Sequence, residues 1–289
     1  MKRFALVVCV VVAVTAYAEV TPNGLVILLT DYGADSFYVG SLKGAIYKKF
    51  PEARIDAITN SVPKFDIATG AHMLMEAAQE FPVGTVFCCV VDPGVGSERK
   101  CIAIETDMGH LLVGPDNGLL SLVAEAYGLR EIRQCTNQDL WREGKLTHTF
   151  HGRDIFGPVA ACLAKGVPLA DVGERLESLT KVDLGKSTIE GNTVRGVVTR
   201  IDGYGNVITN ITYEDLLKLR CDDGDVVNVA IGQASFEAPL VRRYSSVDEG
   251  ARLGLIQSLG YLEFAINMGS LAEAVDASVG APVIVTTKQ

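Results

Sequence analysis

What this chain lacks narrows it first. Its seven cysteines, Cys9, Cys88, Cys89, Cys101, Cys135, Cys162 and Cys221, form no C-x-x-C pair, which excludes a zinc ribbon and a thioredoxin motif. No spacing of His, Cys and acidic residues supports a metal site. Positive charge is in deficit: 26 Lys and Arg against 35 Asp and Glu give a formal charge of −9, which argues against a nucleic-acid partner. No internal repeat or low-complexity tract is present. The apolar run at 4–14 is too short to anchor the chain across a bilayer.

That run carries a different signal. Lys2 and Arg3 precede it, and Ala16 and Ala18 follow at the spacing that suits cleavage before Glu19, so residues 1–18 read as a secretory signal peptide. The expected mature protein is exported, to a periplasm or outside, with no stable membrane anchor. Losing Lys2 and Arg3, with no acid in 1–18, takes the charge from −9 to −11. Six cysteines remain, and Cys88, Cys89 and Cys162 lie in apolar segments that read as core.

With 289 residues the chain has room for two domains and an ample core without a disulfide framework. Strand and helix patterns alternate through the first part: strands at 25–29, 53–58, 83–91, 100–105 and 110–113, helices at 38–50, 67–80, 119–127 and 155–165. This order predicts an N-terminal α/β domain, 24–180, with a mostly parallel sheet covered on both faces. From 182 onward the segments 191–201, 207–211, 226–231, 235–239 and 262–266 are short, β-branched and divided by Gly, Asp and Asn. They predict a smaller C-terminal antiparallel β domain, 190–289, joined through a polar linker at 176–191.

Two runs hold most of the chemistry. In Val-Val-Asp-Pro-Gly-Val-Gly-Ser-Glu-Arg (90–99), an apolar strand runs into Asp92 and a loop, which is where α/β sheets place ligand chemistry. Asp92 and Arg99 either brace that loop as an ion pair or serve a site. In Thr-Phe-His-Gly-Arg-Asp (149–154), His151 is either a cap or core residue or the third member of that site, while Arg153 and Asp154 read as scaffold. Asp31, in Thr30-Asp31-Tyr32-Gly33, either caps a turn or accepts ribose hydroxyls.

The remaining motifs are weaker singly. Asp116-Asn117-Gly118 reads as a structural turn. Asp202-Gly203-Tyr204-Gly205-Asn206 is either a glycine-rich hairpin loop or an aromatic platform for a purine. Residues 258–267 alternate like a strand, with Glu263 and Asn267 on one face, and the bland account is a charged face on an edge strand.

Taken in order and spacing, Leu-Thr-Asp-Tyr-Gly (29–33), the 90–99 run, Gly-Pro-Asp-Asn-Gly (114–118), the 149–154 run with Ile155 and Phe156, Ile-Asp-Gly-Tyr-Gly-Asn-Val-Ile-Thr-Asn (201–210) and Gly-Tyr-Leu-Glu-Phe-Ala-Ile-Asn (260–267) resemble one family. It is the S-adenosylmethionine hydroxide adenosyltransferase (SAM hydrolase) family, kin to the fluorinases and chlorinases, and the resemblance spans about 24–285. It implies a two-domain subunit in a homotrimer, with the ligand between one subunit's N-terminal domain and a neighbour's C-terminal domain. It implies a reaction in which water attacks the ribose C5′ of S-adenosylmethionine and displaces methionine, with no cofactor.

On that resemblance the water-activating triad falls on Asp92, Arg99 and His151, the last helping to carry off a proton. The ribose acid falls on Asp31, and the adenine and methionine contacts around Asp202, Tyr204, Asn206, Ser258, Glu263, Asn267 and Met268. Halide-using relatives carry an uncharged residue in place of Asp92, and fluorinases have an insertion that 100–114 lacks, so halide transfer is the second reading. A third is an exported binding protein without turnover. The chain departs from the family pattern at Asn60-Ser61, where many relatives have a His and an acid, and at Tyr204, where Phe is more usual.

Overall fold

The computed structural model describes residues 20–288, so the signal-peptide reading lies outside the described residues. The first part folds around six strands: β1 (Leu25–Thr30), β2 (Arg54–Thr59), β3 (Val86–Val90), β4 (Cys101–Thr106), β5 (Leu111–Pro115) and β6 (Leu129–Gln134). They lie in the order β2-β1-β3-β5-β4-β6. The pairs β1–β2, β1–β3 and β3–β5 are parallel, and β4 runs antiparallel to β5 and β6. The expected mostly parallel sheet is therefore present.

Strand alternation explains the layers. Val26 and Leu28 face one way, onto Leu42 and Ile46 of α1 (Phe37–Lys49) and later Val159 and Leu163. Ile27 and Leu29 face the other way, onto Leu74 and Ala78 of α2 (Ile67–Ala78) and Val123 of α3 (Ser121–Ala126). Successive strand residues point to opposite faces, so one apolar strand serves two helical layers. Because β1 connects to β2 on one side while β3 returns on its other side, the β1–β3 boundary is a topological switch point, where such sheets open a ligand crevice.

The strand expected at 83–91 begins only at Val86, because Thr85 N–H closes a turn onto Pro82 O and Gly84 takes φ +86°. β6 was not expected; it is an edge strand whose charges pair across it, as in Arg130 to Glu105 at 2.6 Å. The helix after His151 is also irregular. Residues Gly152–Phe156 form a single π turn ahead of α4 (Gly157–Ala164). Pro158 has no N–H for Asp154 O, which accepts from Arg142 N–H at 2.9 Å instead, and a wider turn results.

The second part contains β7 (Thr188–Glu190), β8 (Thr193–Ile201), β9 (Val207–Thr212), α5 (Tyr213–Lys218), β10 (Val226–Ile231), β11 (Ala234–Pro239), β12 (Arg252–Ile256), β13 (Tyr261–Ile266), α6 (Leu271–Val275) and β14 (Pro282–Thr287). The sheet order is β11-β10-β14-β8-β9-β13-β12, with β7 on β8 and every pair antiparallel. Val241 N–H bonds to Gly254 O at 2.8 Å, drawing the two ends of the sheet together into a barrel-like curl.

The stretch expected as a linker is strapped down instead. Thr180 N–H bonds to Asp116 Oδ1 at 2.7 Å and Val182 N–H to Ser121 Oγ at 3.0 Å, while Leu176, Leu179, Val182 and Leu184 pack on the α2–α3 side of the first core. Across the two parts, Arg200 reaches Glu76 at 3.0 Å and the Tyr261 ring meets His72 edge-on at 6.0 Å. Among the described residues no helix is long and apolar enough to cross a membrane.

Candidate active site

The register of β1 on β3 pairs Thr30 with Val90, so the chain leaves both strands at the same edge. Asp31 and Asp92 follow directly, and both line one cavity of about 470 Å³ with Tyr32, Phe65, His151 and Gly152. Asn117 donates to Val91 O at 2.9 Å, fixing the backbone just before Asp92. Asn60, at the departure from the family pattern, fastens the other loop: its Oδ1 accepts from Thr30 Oγ1 at 3.0 Å and its O from Gly33 N–H at 2.7 Å.

At the cavity wall the three residues of the expected triad meet, Asp92 and His151 lining it and Arg99 behind them. Arg99 Nε donates to Asp92 Oδ1 at 2.9 Å and its Nη2 to Asp92 Oδ2 at 2.5 Å, a bidentate pair with side chains 9% and 5% exposed. The same Nη2 donates to His151 Nδ1 at 2.8 Å. Burial opposes the Arg99 charge, yet the bonds to Asp92 raise its pKa further. Arg99 itself is not part of the cavity lining and touches it only through its bonds to Asp92 and His151.

His151 occupies the cap position of the π turn without capping it with its side chain, so its imidazole is free for this bond. Burial first and Arg99 second lower its pKa. A guanidinium can only donate, so Nδ1 is an acceptor and the neutral ring carries its hydrogen on Nε2. His151 therefore cannot take a proton at Nδ1 while Arg99 Nη2 donates to it.

Asp31 Oδ2 accepts from Phe65 N–H at 3.0 Å and so braces a residue at φ +67°, a strained conformation for an aromatic. Among the described residues its other oxygen has no such bond. Asp154 is fully buried and bound by Arg153 and Thr147, the scaffold role expected of it. Sequence reasoning missed Cys101, whose Sγ accepts from Arg99 Nη1 at 3.0 Å. No local pattern marked it, because β4 begins only at Cys101 and Arg99 lies in the loop before it.

The remaining candidates gather elsewhere. Asp202, Tyr204, Asn206, Asn267 and Met268 line a second cavity of about 610 Å³, with Tyr244. Asp202 spends its carboxylate on the loop, accepting from Tyr204 N–H, Asn206 N–H and Asn206 Nδ2, each at 2.9 Å. That leaves Tyr204 at the tip, 82% exposed, sharing the cavity with Met268, which is 83% exposed at φ +58°. A Cβ on Gly205 would meet Ser270 Oγ at 2.1 Å, so glycine is required there.

Glu263 corrects the edge-strand reading: β13 lies between β9 and β12, and Glu263 is only 4% exposed. It accepts from Tyr244 OH at 2.6 Å, and burial, with Asp202 nearby, raises its pKa. Tyr244 was missed because only tertiary folding brings it to β13. Ser258 is not brought to either cavity in this protomer; it sits in the turn at the opposite end of the β12–β13 hairpin from Met268. Among the described residues none lines both cavities, and no group of three or more His, Cys, Asp or Glu converges as metal ligands do.

Comparison with known proteins agrees with this layout. The family model for the SAM hydroxide adenosyltransferase N-terminal domain matches residues 26–173, and that for the C-terminal domain matches 196–284. A protein of Salinispora tropica named (R)-S-adenosyl-L-methionine hydrolase is 35% identical over 92% of this chain and 98% of its own. A crystal structure of an uncharacterised conserved protein from Thermotoga maritima superposes with a TM-score of 0.84 and 41% identity, covering 90% of this chain and 99% of that one. A fluorinase of Actinoplanes sp. is more distant, 27% identical over 91% of this chain and 98% of its own. With both domain models matched in order and the motif residues at the sheet edge where they fall, this chain belongs to the SAM hydroxide adenosyltransferase family.

Proposed function

We propose that the protein hydrolyses S-adenosyl-L-methionine to adenosine and L-methionine. Water forms a bond to the ribose C5′ as the C5′–S bond breaks, and its electron pair returns to sulfur, leaving a neutral thioether. A sulfonium is already a good leaving group, so no proton, metal or redox cofactor is needed at that end. The task left to the protein is to align and activate a weak nucleophile.

The observation that carries this reading is the buried Asp92–Arg99–His151 cluster opening onto the cavity that Asp31 lines. Asp92 accepts the proton of the attacking water. Arg99, out of contact with substrate, fixes the direction of Asp92 and favours hydroxide character in the cavity. His151, with its hydrogen on Nε2, donates to the developing hydroxide or the ribose edge. Asp31 takes the ribose hydroxyls with its unengaged oxygen. Tyr204 stacks on adenine, Asn206 and Asn267 offer polar contacts at its edge, and Met268 covers it, while Glu263 holds Tyr244 in place beside them.

We place these groups in one site through a homotrimer, the neighbour's C-terminal cavity closing the N-terminal one, with Ser258 and Asp202 on the methionine side. The exposure of Tyr204 and Met268, unusual for large apolar groups, supports it. About three subunit masses in solution are expected, and a stable monomer would remove the shared site. Export remains part of the proposal, checked by a mature N-terminus at Glu19.

The direct test supplies the sulfonium epimers separately without halide, since curated relatives are named for the (R) epimer. Adenosine and methionine should appear in equal amounts; no adenosine above a heat-killed control would sink the reading. The fluorinase relatives make halide transfer the second reading, which predicts 5′-halo-adenosine only when chloride or fluoride is added. The carboxylate of Asp92 repels a halide and favours water. A binding module would instead bind saturably and release no product.

A further inference from the structure

Tyr32 shares the N-terminal cavity with Asp31, Asp92, His151 and Gly152. Its ring is clamped, edge-on to Phe150 and tilted against Tyr38, with centroids 5.7 Å from each. Its oxygen lies directly over residue 152. A Cβ built on Gly152 would stand 2.2 Å from Tyr32 Oη and 3.3 Å from Cζ, so the hydroxyl fills the space any side chain at 152 would need. Among the described residues Oη has no hydrogen-bond partner. Burial, Cys88 and the carboxylates Asp31 and Asp92 all hold the phenol in its protonated form. A hydroxyl that opens into a cavity without a protein partner is free to meet a ligand or water atom there.

Counting donors and acceptors says which atom. A water aimed at carbon with one lone pair needs acceptors for both of its hydrogens. Asp92 provides one. His151 cannot provide the other, because Arg99 occupies Nδ1 and the remaining ring nitrogen is a donor. The phenol oxygen, lying over Gly152 next to His151, is the acceptor left, and its own O–H is free to donate to a carboxylate.

The geometry points to Tyr32 as a further catalytic residue, its hydroxyl, seated where a side chain at residue 152 would stand, holding with Asp92 the oxygen that attacks C5′. The assignment rests on the hydrolase reading. The proton of the attacking water goes to Asp92, the electron pair of the C5′–S bond goes to sulfur, and Tyr32 keeps its proton throughout.

The product makes a clean test, because adenosine carries the incoming oxygen as its 5′-hydroxyl and 5′-deoxyadenosine lacks it. Tyr32→Phe should weaken adenosine binding about 3–10-fold, the worth of one hydrogen bond, and leave 5′-deoxyadenosine unmoved. In turnover, kcat should fall while KM stays within about twofold, as expected when an interaction specific to the transition state is lost. Gly152→Ala should lower kcat in the wild-type background by displacing the phenol. In the Tyr32→Phe background, where the tightest contact relaxes to 3.3 Å, it should add less than a further twofold loss, roughly the limit of a tolerated contact. Equal weakening of both nucleosides, no weakening of either, or losses from the two substitutions that simply multiply would each overturn the assignment while leaving hydrolysis standing. Wild-type protein that makes no adenosine and binds neither nucleoside overturns the hydrolase reading, and the role of Tyr32 with it.

Discussion

The two cavities are built on opposite plans. The N-terminal one is backed by charge that is paired and buried, Arg99 and Asp92 being 9% and 5% exposed, with Arg99 hydrogen-bonded to both Asp92 and His151. The C-terminal one turns its charge inward: Asp202 is used up on its own loop, Glu263 is buried against Tyr244, and what faces outward is Tyr204 and Met268. Under the proposed function the first serves electrostatic work beside a buried ion pair, the second contact area with a flat, apolar ligand. The difference teaches that reaction and recognition are separable here, and substitutions should separate them.

The largest effect is expected at Asp92. Asp92→Asn keeps the shape but removes the charge, and kcat should fall by about 10²–10⁴, the range for losing a positioned base, with KM little changed. It also leaves Arg99 buried without its counter-charge, and breaking such a pair costs about 3–5 kcal/mol, so the melting temperature should drop as well. A variant with near-normal kcat would erase the distinction between the cavities.

A middle-sized effect belongs to pH. The neutral His151 ring accepts from Arg99; protonation would set two N–H donors against each other across 2.8 Å. Its pKa is lowered from 6.5 by burial and by Arg99, so kcat/KM should fall as pH drops through a value below 6.5. The sign for stability is the same: the unfolded chain takes up this proton first, so folding stability declines as pH falls from about 6.5 through the folded value. A measured acid limb at or above the ordinary imidazole value, or denaturation midpoints that rise on acidification across this window, would contradict the wiring.

The smallest effect tests the other cavity. Tyr204→Ala should raise KM about 5–100-fold, as loss of one base–aromatic stack does, with kcat within about twofold and no change in melting temperature. The side chain is 82% exposed, so little packing is lost. A fall in kcat to match that of Asp92→Asn would mean the two halves are not separable.

Much of this was legible beforehand. The α/β layering followed from periodicity, since Val26 to Leu29 had to bury both faces, and Asp92 at a strand end followed from an apolar run meeting Pro93 and Gly94. Other features were not. β6 is charged along its length and stable only as an edge on β4; the linker's leucines are meaningful only where α2 and α3 offer them a surface. Tyr244 has no local motif, and Cys101 looked like any strand cysteine until Arg99 turned toward it.

Local chemistry by itself determined the elements, the turns and the presence of a carboxylate, a guanidinium and an imidazole near chain bends, because hydrophobic period and glycine or proline placement act within a few residues. Whether those three groups meet, which nitrogen of His151 bears the hydrogen, that Arg99 stands behind the cavity, and that Tyr32 reaches over Gly152 were decided by tertiary structure alone. Each depends on the register of β1 against β3 and on the π turn that Pro158 imposes, and those bring together residues some 50 to 120 positions apart.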